Sequence, residues 1–594
     1  MSNVLFIIAD SLSFDRIEKY RHQKNCLTPF LNSIEGQCIT AEHLYSQGPY
    51  TEAGTKGLLC CCDTLDNGGY FCRYDTQERF ITDIFKDWGY ETYNINAPSY
   101  LLSKRTLSNI DHMIYTSGID FRFLWSQRFS FYYDRWKSGK FTEEDYAYLA
   151  DFVELVFESI GDFLCSENSD EKYDIISPLI DEDVIKQNNA ILNQEMAKFV
   201  ENKNKYMDSV FELQLNHPIF QIKNINLSDM IQTEKVCRVL AKNKKFVRKF
   251  KRIQFFRNLR NNPCTKGVFS RTIKGIWRDK KPTKSNCGEL LNRLRNLISG
   301  REFEVFKTGL YYTKDPYKLV ASAKTQIEYA VNVLEKSDHK NNFVFIHPEE
   351  AHYFNTFFTY DSQDESLIES EINDAADFVK SLDKNYKGSL FYDLSVRYLD
   401  TQIKNLYHSL EEKGLLKDTL VVVTADHGSS YFFDPVRKSL VNNFHSENYH
   451  VPIYIFGGGV QGRSCDGMYM GKDVIPTIAD ICGHAMSGGS GMSMLNKDND
   501  RESVMIEYMG PGCPDIRLKP VWLSSRSRKY AVSYIGKLSE EFSESNICEI
   551  YDLIKDPEER NNIKDVRNEN INRQIDLIRE RFESLRETTS ISRK

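Results

Sequence analysis

The stretch that most constrains this chain reads Thr419-Leu-Val-Val-Val-Thr-Ala-Asp-His-Gly-Ser429. Residues 420–423 form an apolar run with no polar break, which suits a strand covered on both faces, as in a parallel sheet flanked by helices. The run ends abruptly in Asp426-His427-Gly428. Open α/β sheets carry their chemistry just beyond the carboxyl ends of their strands, and a carboxylate beside an imidazole there reads as a pair of metal ligands. Read alone, Asp426 serves equally as a helix cap, with His427 in an ordinary hydrogen bond.

The start of the chain narrows the choice. Asn3-Val-Leu-Phe-Ile-Ile-Ala-Asp10 is a second strand of the buried type, and it too ends in an acid. If the two strands are neighbours in one sheet, their acids converge on one point, where a hard cation would neutralise them.

With 594 residues the chain exceeds what one core usually covers, so more than one domain or a large insertion is expected. A formal net charge of −7 argues against a general nucleic-acid binder. No apolar run approaches the roughly 20 residues needed to span a bilayer. Met1-Ser-Asn leads straight into a strand, without the features of a signal peptide, and the 14 cysteines follow no regular framework. Reduced thiols and a cytoplasmic location are therefore expected.

Along the chain, Thr28-Pro29 opens a short helix, and Ser46-Gln-Gly-Pro-Tyr-Thr51 is a loop running into another. Thr51 lies close to that helix start, where free N–H groups can hold an anion or where threonine simply caps the helix. Residues 81–93 read as helix, Gly89 stop and strand, a βα repeat. From about 120 to 330 strand-like runs thin out. The segment 242–260 is strongly basic, with Lys244, Lys245, Arg248 and Lys249 among its cations. It reads as a site for an anionic polymer or membrane surface, or as a solvated helix with a packed underside. The α/β pattern resumes with Asn342-Phe-Val-Phe-Ile-His347, followed by His352, and His445 and His450 precede a later strand.

In this order the segments resemble the sulfatase branch of the alkaline phosphatase superfamily. The stretch ending in Asp10 resembles its opening strand and first metal ligand. Thr28-Pro-Phe-Leu, Tyr45 to Thr51 and the Leu58-Leu59 pair resemble the approach to its nucleophile. Thr424-Ala-Asp-His-Gly428, Val451-Pro452, residues 473–483 and the Tyr551-Asp-Leu stretch complete the pattern, over roughly 1–110 and 340–565. The chain departs from it twice. Thr51 stands where sulfatases carry the cysteine or serine that becomes formylglycine, and oxidising a threonine carbinol would give a ketone instead. Ser11 replaces the usual acid after the first aspartate. Both features are closer to the family's phosphoglycerol and phosphoethanolamine transferases and its phosphodiesterases.

The resemblance implies an α/β sandwich with a mostly parallel central sheet flanked by helices, a large helical insertion and a smaller C-terminal α+β subdomain. The expected boundaries are 1–120 and 336–495 for the two parts of the α/β domain, 121–335 for a helical cap and 496–594 for the subdomain. It implies a divalent ion (Mg, Mn or Ca, with Zn also compatible) on Asp10, Thr51, Asp426 and His427. Thr51 would be the nucleophile, His352 and His347 catalytic, and Lys56 and His445 substrate-binding. The expected activity is hydrolysis or transfer of phosphate esters, with a phosphorylated or sulfated glycan, lipid or small molecule as substrate. A sulfate-ester hydrolase working without formylglycine, or an inactive anion-binding homologue, are the alternatives. Oligomeric state is not legible.

Overall fold

In the computed structural model the described residues are 3–21, 26–69, 77–96, 110–113, 132–133, 135–164, 182–216, 323–338, 341–351, 377–378, 381, 390–429, 444–496, 501–510, 516–517 and 519–591. His352 and the basic segment 242–260 lie outside them.

The central sheet is built from β1 (Asn3–Ile8), β2 (Ile39–Ala41), β4 (Glu91–Ile95), β5 (His112–Met113), β6 (Asn342–Ile346), β7 (Thr419–Thr424), β8 (Ile453–Gly457) and β9 (Arg463–Cys465). Their spatial order is β5-β4-β6-β1-β7-β8-β2-β9. A small two-stranded sheet pairs β3 (Leu44–Tyr45) with β10 (Tyr469–Met470). From β5 to β7 the strands run parallel, and β8 is antiparallel to both β7 and β2. The three inner strands β6, β1 and β7 are buried at every position. Their β-branched and aromatic residues therefore need no polar alternation, as befits a sheet covered on both faces.

Helices supply the cover. In chain order they are α1 (Phe14–Tyr20), α2 (Pro29–Ile34), α3 (Thr51–Cys60) and α4 (Ile81–Asp87), each short. Phe85 of α4 stacks on Phe343 of β6 with ring centroids 3.8 Å apart. Next come α5 (Glu143–Leu164), α6 (Glu182–Glu201) and α7 (Lys203–Asn216), which pack on one another. Phe157, Phe199 and Tyr206 interlock between them at centroid distances of 5.6–5.9 Å. These three helices are the described part of the expected cap. Another described helix of the 121–335 segment, α8 (Ala323–Lys336), does not belong with them. It packs on β4 and β6, because Ala323, Ile327, Ala330, Val331 and Leu334 recur at helical spacing on one buried face. The α/β body therefore resumes by Ala323 rather than at 336.

The long α9 (Leu390–Glu412) lies against α8 and α2, and ends before Gly414, whose φ of +70° suits glycine. A short α10 (Val474–Cys482) packs near α3. The C-terminal subdomain is an antiparallel sheet of β11 (Ser503–Tyr508), β12 (Val521–Ser527), β13 (Tyr530–Gly536) and β14 (Ile547–Asp552). The final helix α11 (Glu569–Ile591) crosses β12 and β13, burying Ile571, Ile575, Ile578 and Phe582. No described helix is long and apolar enough to cross a membrane.

Candidate metal centre and nucleophile

Register places the site. Ile8 of β1 pairs with Thr424 of β7, so Asp10 and Asp426 each stand two residues beyond a matched pair. Ile7 pairs with Ile346 of β6, so His347 emerges level with Ile8. Parallel strands share one carboxyl end, and all three side chains leave the sheet there.

Ser11 then aims the two carboxylates. Its φ of +62° is left-handed, unusual for a residue with a Cβ, and turns the chain sharply after Asp10. In that pose its N–H donates to Asp426 Oδ1 at 3.1 Å, while its hydroxyl donates to Asp10 Oδ1 at 2.7 Å. Tyr392 holds the turn from behind, donating its hydroxyl to the Ser11 carbonyl at 2.8 Å and accepting from Ser13 N–H at 2.9 Å. With both Oδ1 atoms engaged, both Oδ2 atoms face His347 Nε2, each at 3.8 Å. The three ligand atoms lie within 4.8 Å of one another, and all three residues are buried.

Thr51 enters from above this tripod as the first residue of α3. Its hydroxyl lies 3.3 Å from Asp10 Oδ2 and 3.3 Å from His427 Nε2. The helix can come this close because of Gly54. A Cβ there would stand 1.9 Å from the carbonyl oxygen of Asp426. Ser46 adds a hydrogen bond from its hydroxyl to that same carbonyl. His427 sets its Nδ1 on the Gly428 carbonyl at 2.5 Å; since a carbonyl only accepts, Nδ1 carries the proton toward it and Nε2 faces the hydroxyls of Thr51 and Ser11. Unlike the tripod, Thr51 is only half-buried.

The electrostatics are those of a site with too many anions. Burial alone would lower the His427 pKa, but Asp426 and Asp10 beside it carry it up to about 9. Glu349, two residues past His347, is held well above the usual carboxylate range by burial, then by Asp10, Glu350 and Asp426. Asp426 Oδ2 is buried and has no hydrogen-bond donor among the described residues. Leaving a charged oxygen in that state costs several kcal/mol, so the site fits a divalent cation. Two carboxylate oxygens and an imidazole nitrogen form a donor set that suits such an ion.

The structure thus assembles Asp10, Thr51, Asp426 and His427, and it moves His347 from a general catalytic role into the tripod itself. Two expected substrate ligands sit elsewhere. Lys56 is buried, its ammonium donating to the carbonyls of Thr64 at 3.1 Å, Asp66 and Gly69 at 2.9 Å. Five residues beyond Thr51 on a helix, it projects away from the nucleophile and holds a loop instead. His445 is bound through Nδ1 to Glu559 at 3.2 Å in a buried network with Arg526 and Tyr449. His352 is outside the described residues. Glu349 carries no motif, and its one visible signal is that Pro348-Glu349-Glu350 follows a buried strand directly.

The family model described as Sulfatase matches residues 259–484, which hold His347, Asp426 and His427. Asp10 and Thr51 precede that match, whose start lies inside the expected insertion. An endo-4-O-sulfatase of Bacteroides thetaiotaomicron is 25% identical over 238 residues, 38% of this chain and 45% of the relative. Arylsulfatase K of Bos taurus is 24% identical over 209 residues, 32% of this chain and 37% of the relative. The matched stretches thus span less than half the length of these relatives. A solved protein of the alkaline phosphatase superfamily from Vibrio parahaemolyticus superposes with a TM-score of 0.44 at 11% identity, covering 93% of this chain and 82% of its own. The family match covers the second half of the α/β body, and there the chain is similar to sulfatases.

Proposed function

We propose that the protein is a metal-dependent esterase of the sulfatase family that attacks phosphate esters or diesters through Thr51. The observation that carries this reading is the Thr51 hydroxyl at the N-terminus of α3, 3.3 Å from both Asp10 Oδ2 and His427 Nε2. A bound divalent ion would be held by Asp10, Asp426 and His347, with Thr51 and His427 adjoining, and would supply Lewis acidity toward the ester oxygen and the nucleophile.

The chain's own residues do the rest. Asp10 Oδ2 accepts the Thr51 proton and so points an oxygen lone pair outward toward the ester. His427 Nε2 lies at hydrogen-bond range of the same oxygen and helps hold it in place, while the Asp10 carboxylate takes the proton as the bond to the ester centre forms. The α3 N-terminus presents free N–H groups to the charge on the non-bridging oxygens. The product of this step is an ester of Thr51, later released to water or to an acceptor alcohol. Phosphate fits this route because an alkoxide nucleophile suffices for it. The formylglycine route is closed to threonine.

A second reading is favoured by the relatives, which are sulfatases: a sulfate ester cleaved at the same centre. The substrate in either case is an anionic ester, of a glycan, lipid or small molecule. The test loads the purified protein with Mg, Mn, Ca or Zn and compares an aryl phosphate, an aryl phosphodiester and an aryl sulfate. The expected result is turnover of a phosphate substrate, abolished in Thr51→Ala and partly retained in Thr51→Ser, with a phosphothreonine trapped at position 51. Turnover confined to the aryl sulfate, or wild-type rates in Thr51→Ala, would overturn the threonine route.

A further inference from the structure

The other end of α3 carries a second constellation that ester chemistry does not use. Thr51 begins the helix and Cys60 ends it, about 14 Å away at 1.5 Å per residue. Cys61 follows as a left-handed cap with φ +54°, its N–H bonding back to the Gly57 carbonyl at 3.1 Å. That turn separates three consecutive cysteines. Cys61 is buried against Gly489, where an added Cβ would stand 2.8 Å from its own, and its carbonyl accepts from Ser490 N–H at 2.7 Å. Cys60 and Cys62 instead line a cavity of about 660 Å³.

The cavity is polar and rich in guanidinium groups. Arg79, Arg517 and Arg581 line it, against the carboxylates of Asp66 and Glu78. Arg581 is bound by Glu507 and Asp66, each at 2.8 Å. Arg79 reaches Asp87 and Ser487 through Nη2, while its Nε is buried without a hydrogen-bond acceptor. Such a lining suits a carboxylate-bearing molecule of ordinary ligand size.

The two thiols are ordered with respect to each other. The neighbouring Cys60 thiol, with the Lys56 ammonium nearby, draws the Cys62 pKa below its ordinary value despite partial burial and the acids Asp66 and Asp63. Cys60, fully buried, is driven the other way, first by burial and then by Cys62. When protonated, Cys62 donates to Gln77 Oε1 at 3.5 Å. Cys62 is half-buried and so reachable from the cavity, whereas Cys60 and Cys61 are buried. A thiol with a lowered pKa, beside a second thiol and cationic side chains, is the environment in which cysteines react.

We propose that Cys62 is a thiol–disulfide exchange site for a small anionic disulfide held in this cavity. The Cys62 thiolate attacks one sulfur of the disulfide, the S–S bond breaks, and one half leaves as its thiolate. The other half remains as a mixed disulfide on Cys62, with its carboxylates toward Arg79 and Arg517. A peroxide would need no such room and no such charge, which is why a disulfide of an acidic thiol is favoured. This site is independent of the ester reaction, so Cys62→Ser should leave turnover unchanged.

The experiment incubates the reduced, full-length protein with glutathione disulfide or, separately, with neutral 2-hydroxyethyl disulfide. Remaining thiols are alkylated at timed intervals and each cysteine is followed by peptide mass mapping. Cys62 should form its mixed disulfide at least about tenfold faster than any other cysteine, and glutathione disulfide should outpace the neutral reagent there once scaled to reaction with a free thiol. Arg79→Gln and Arg517→Gln should narrow that ratio. Cys62 reacting no faster than the other cysteines would overturn the site. Equal scaled rates for the two reagents in the wild-type protein would overturn the anionic ligand, whatever the variants' folding.

Discussion

Two buried clusters of charge lie on either side of the loop that carries His445 and His450, and they are built on opposite terms. Behind the loop, each described acid is paired with an arginine or a histidine. Arg526 is ion-paired with Glu559 and donates to the Tyr449 hydroxyl at 3.0 Å, with Tyr45 and Tyr449 rings under its guanidinium. His450 binds Asp15 at 2.6 Å through Nδ1. Burial would raise both acids, yet Arg526 and His445 bring Glu559 below its ordinary pKa, and His450 does the same for Asp15. In front of the loop, among the described residues, Asp10, Asp426 and Glu349 share two imidazoles, and Glu349 is driven upward instead. A buried cluster that is neutral by its own side chains holds a structure together. One that is short of positive charge among its described groups fits a cation supplied from outside.

The contrast is most sharply tested by taking one acid from each side. Asp426→Asn should lower turnover by a factor on the order of a thousand, since it removes a ligand from the Lewis-acid site. The same change should leave the metal-free protein as stable as wild type or more so, because it relieves crowding among carboxylates. Thermal melts with and without added divalent ion check both halves. The wild-type melting temperature should rise with the ion, and that of Asp426→Asn should not. A metal-free variant that melts well below wild type would erase the distinction.

Glu559→Gln is the counterpart. It leaves Arg526 buried without its carboxylate, which should cost about 3–5 kcal/mol of stability in urea unfolding. Divalent ions should not restore the loss. A loss under 1 kcal/mol would show that the network tolerates imbalance as the tripod does.

Asp400 offers an intermediate case, a buried acid satisfied by backbone alone. It accepts from the N–H groups of Phe30 and Leu31, each at 2.9 Å, at the start of α2. Burial nevertheless outweighs those bonds and carries its pKa up to about 6, from 3.8. The folded state thus holds the proton more tightly than the unfolded chain. Its contribution is complete below about pH 4 and is lost as pH rises through 6, a change of about 3 kcal/mol. Asp400→Asn should remove that part of the slope between pH 4 and 7. An unchanged slope would mean that the two N–H donors fully offset the burial.

The smallest effect is expected at Ser11, which touches both carboxylates without being a ligand in the tripod. Ser11→Ala should weaken metal affinity or turnover by about 10–100-fold, as losses of groups that orient ligands do. Ser11→Gly relaxes the left-handed turn but also loses the hydroxyl. It should therefore fall with the alanine variant in activity while exceeding it in stability. Wild-type activity in Ser11→Ala would show that the backbone N–H to Asp426 alone aims the site.

Much of this was legible in the linear chain. Unbroken apolar runs at 3–8, 342–346 and 419–424 became the three inner strands, because side chains covered on both faces need no polar alternation. The acid that follows two of those runs named Asp10 and Asp426, and the helix beginning at Thr51 put a hydroxyl where a free N-terminus lies. The relations between distant segments were not written there. That β6 lies beside β1, bringing His347 onto both Oδ2 atoms, depends on strand order, which local pattern does not encode. Lys56 and His445 are suitable anion ligands by type. Only the folded chain shows that three carbonyls hold one and Glu559 the other. Residue type and periodicity are local properties and survive in the sequence. The partner of a buried charge is chosen by packing between segments hundreds of residues apart, and that choice separates the ligands of this site from the groups that merely resemble them.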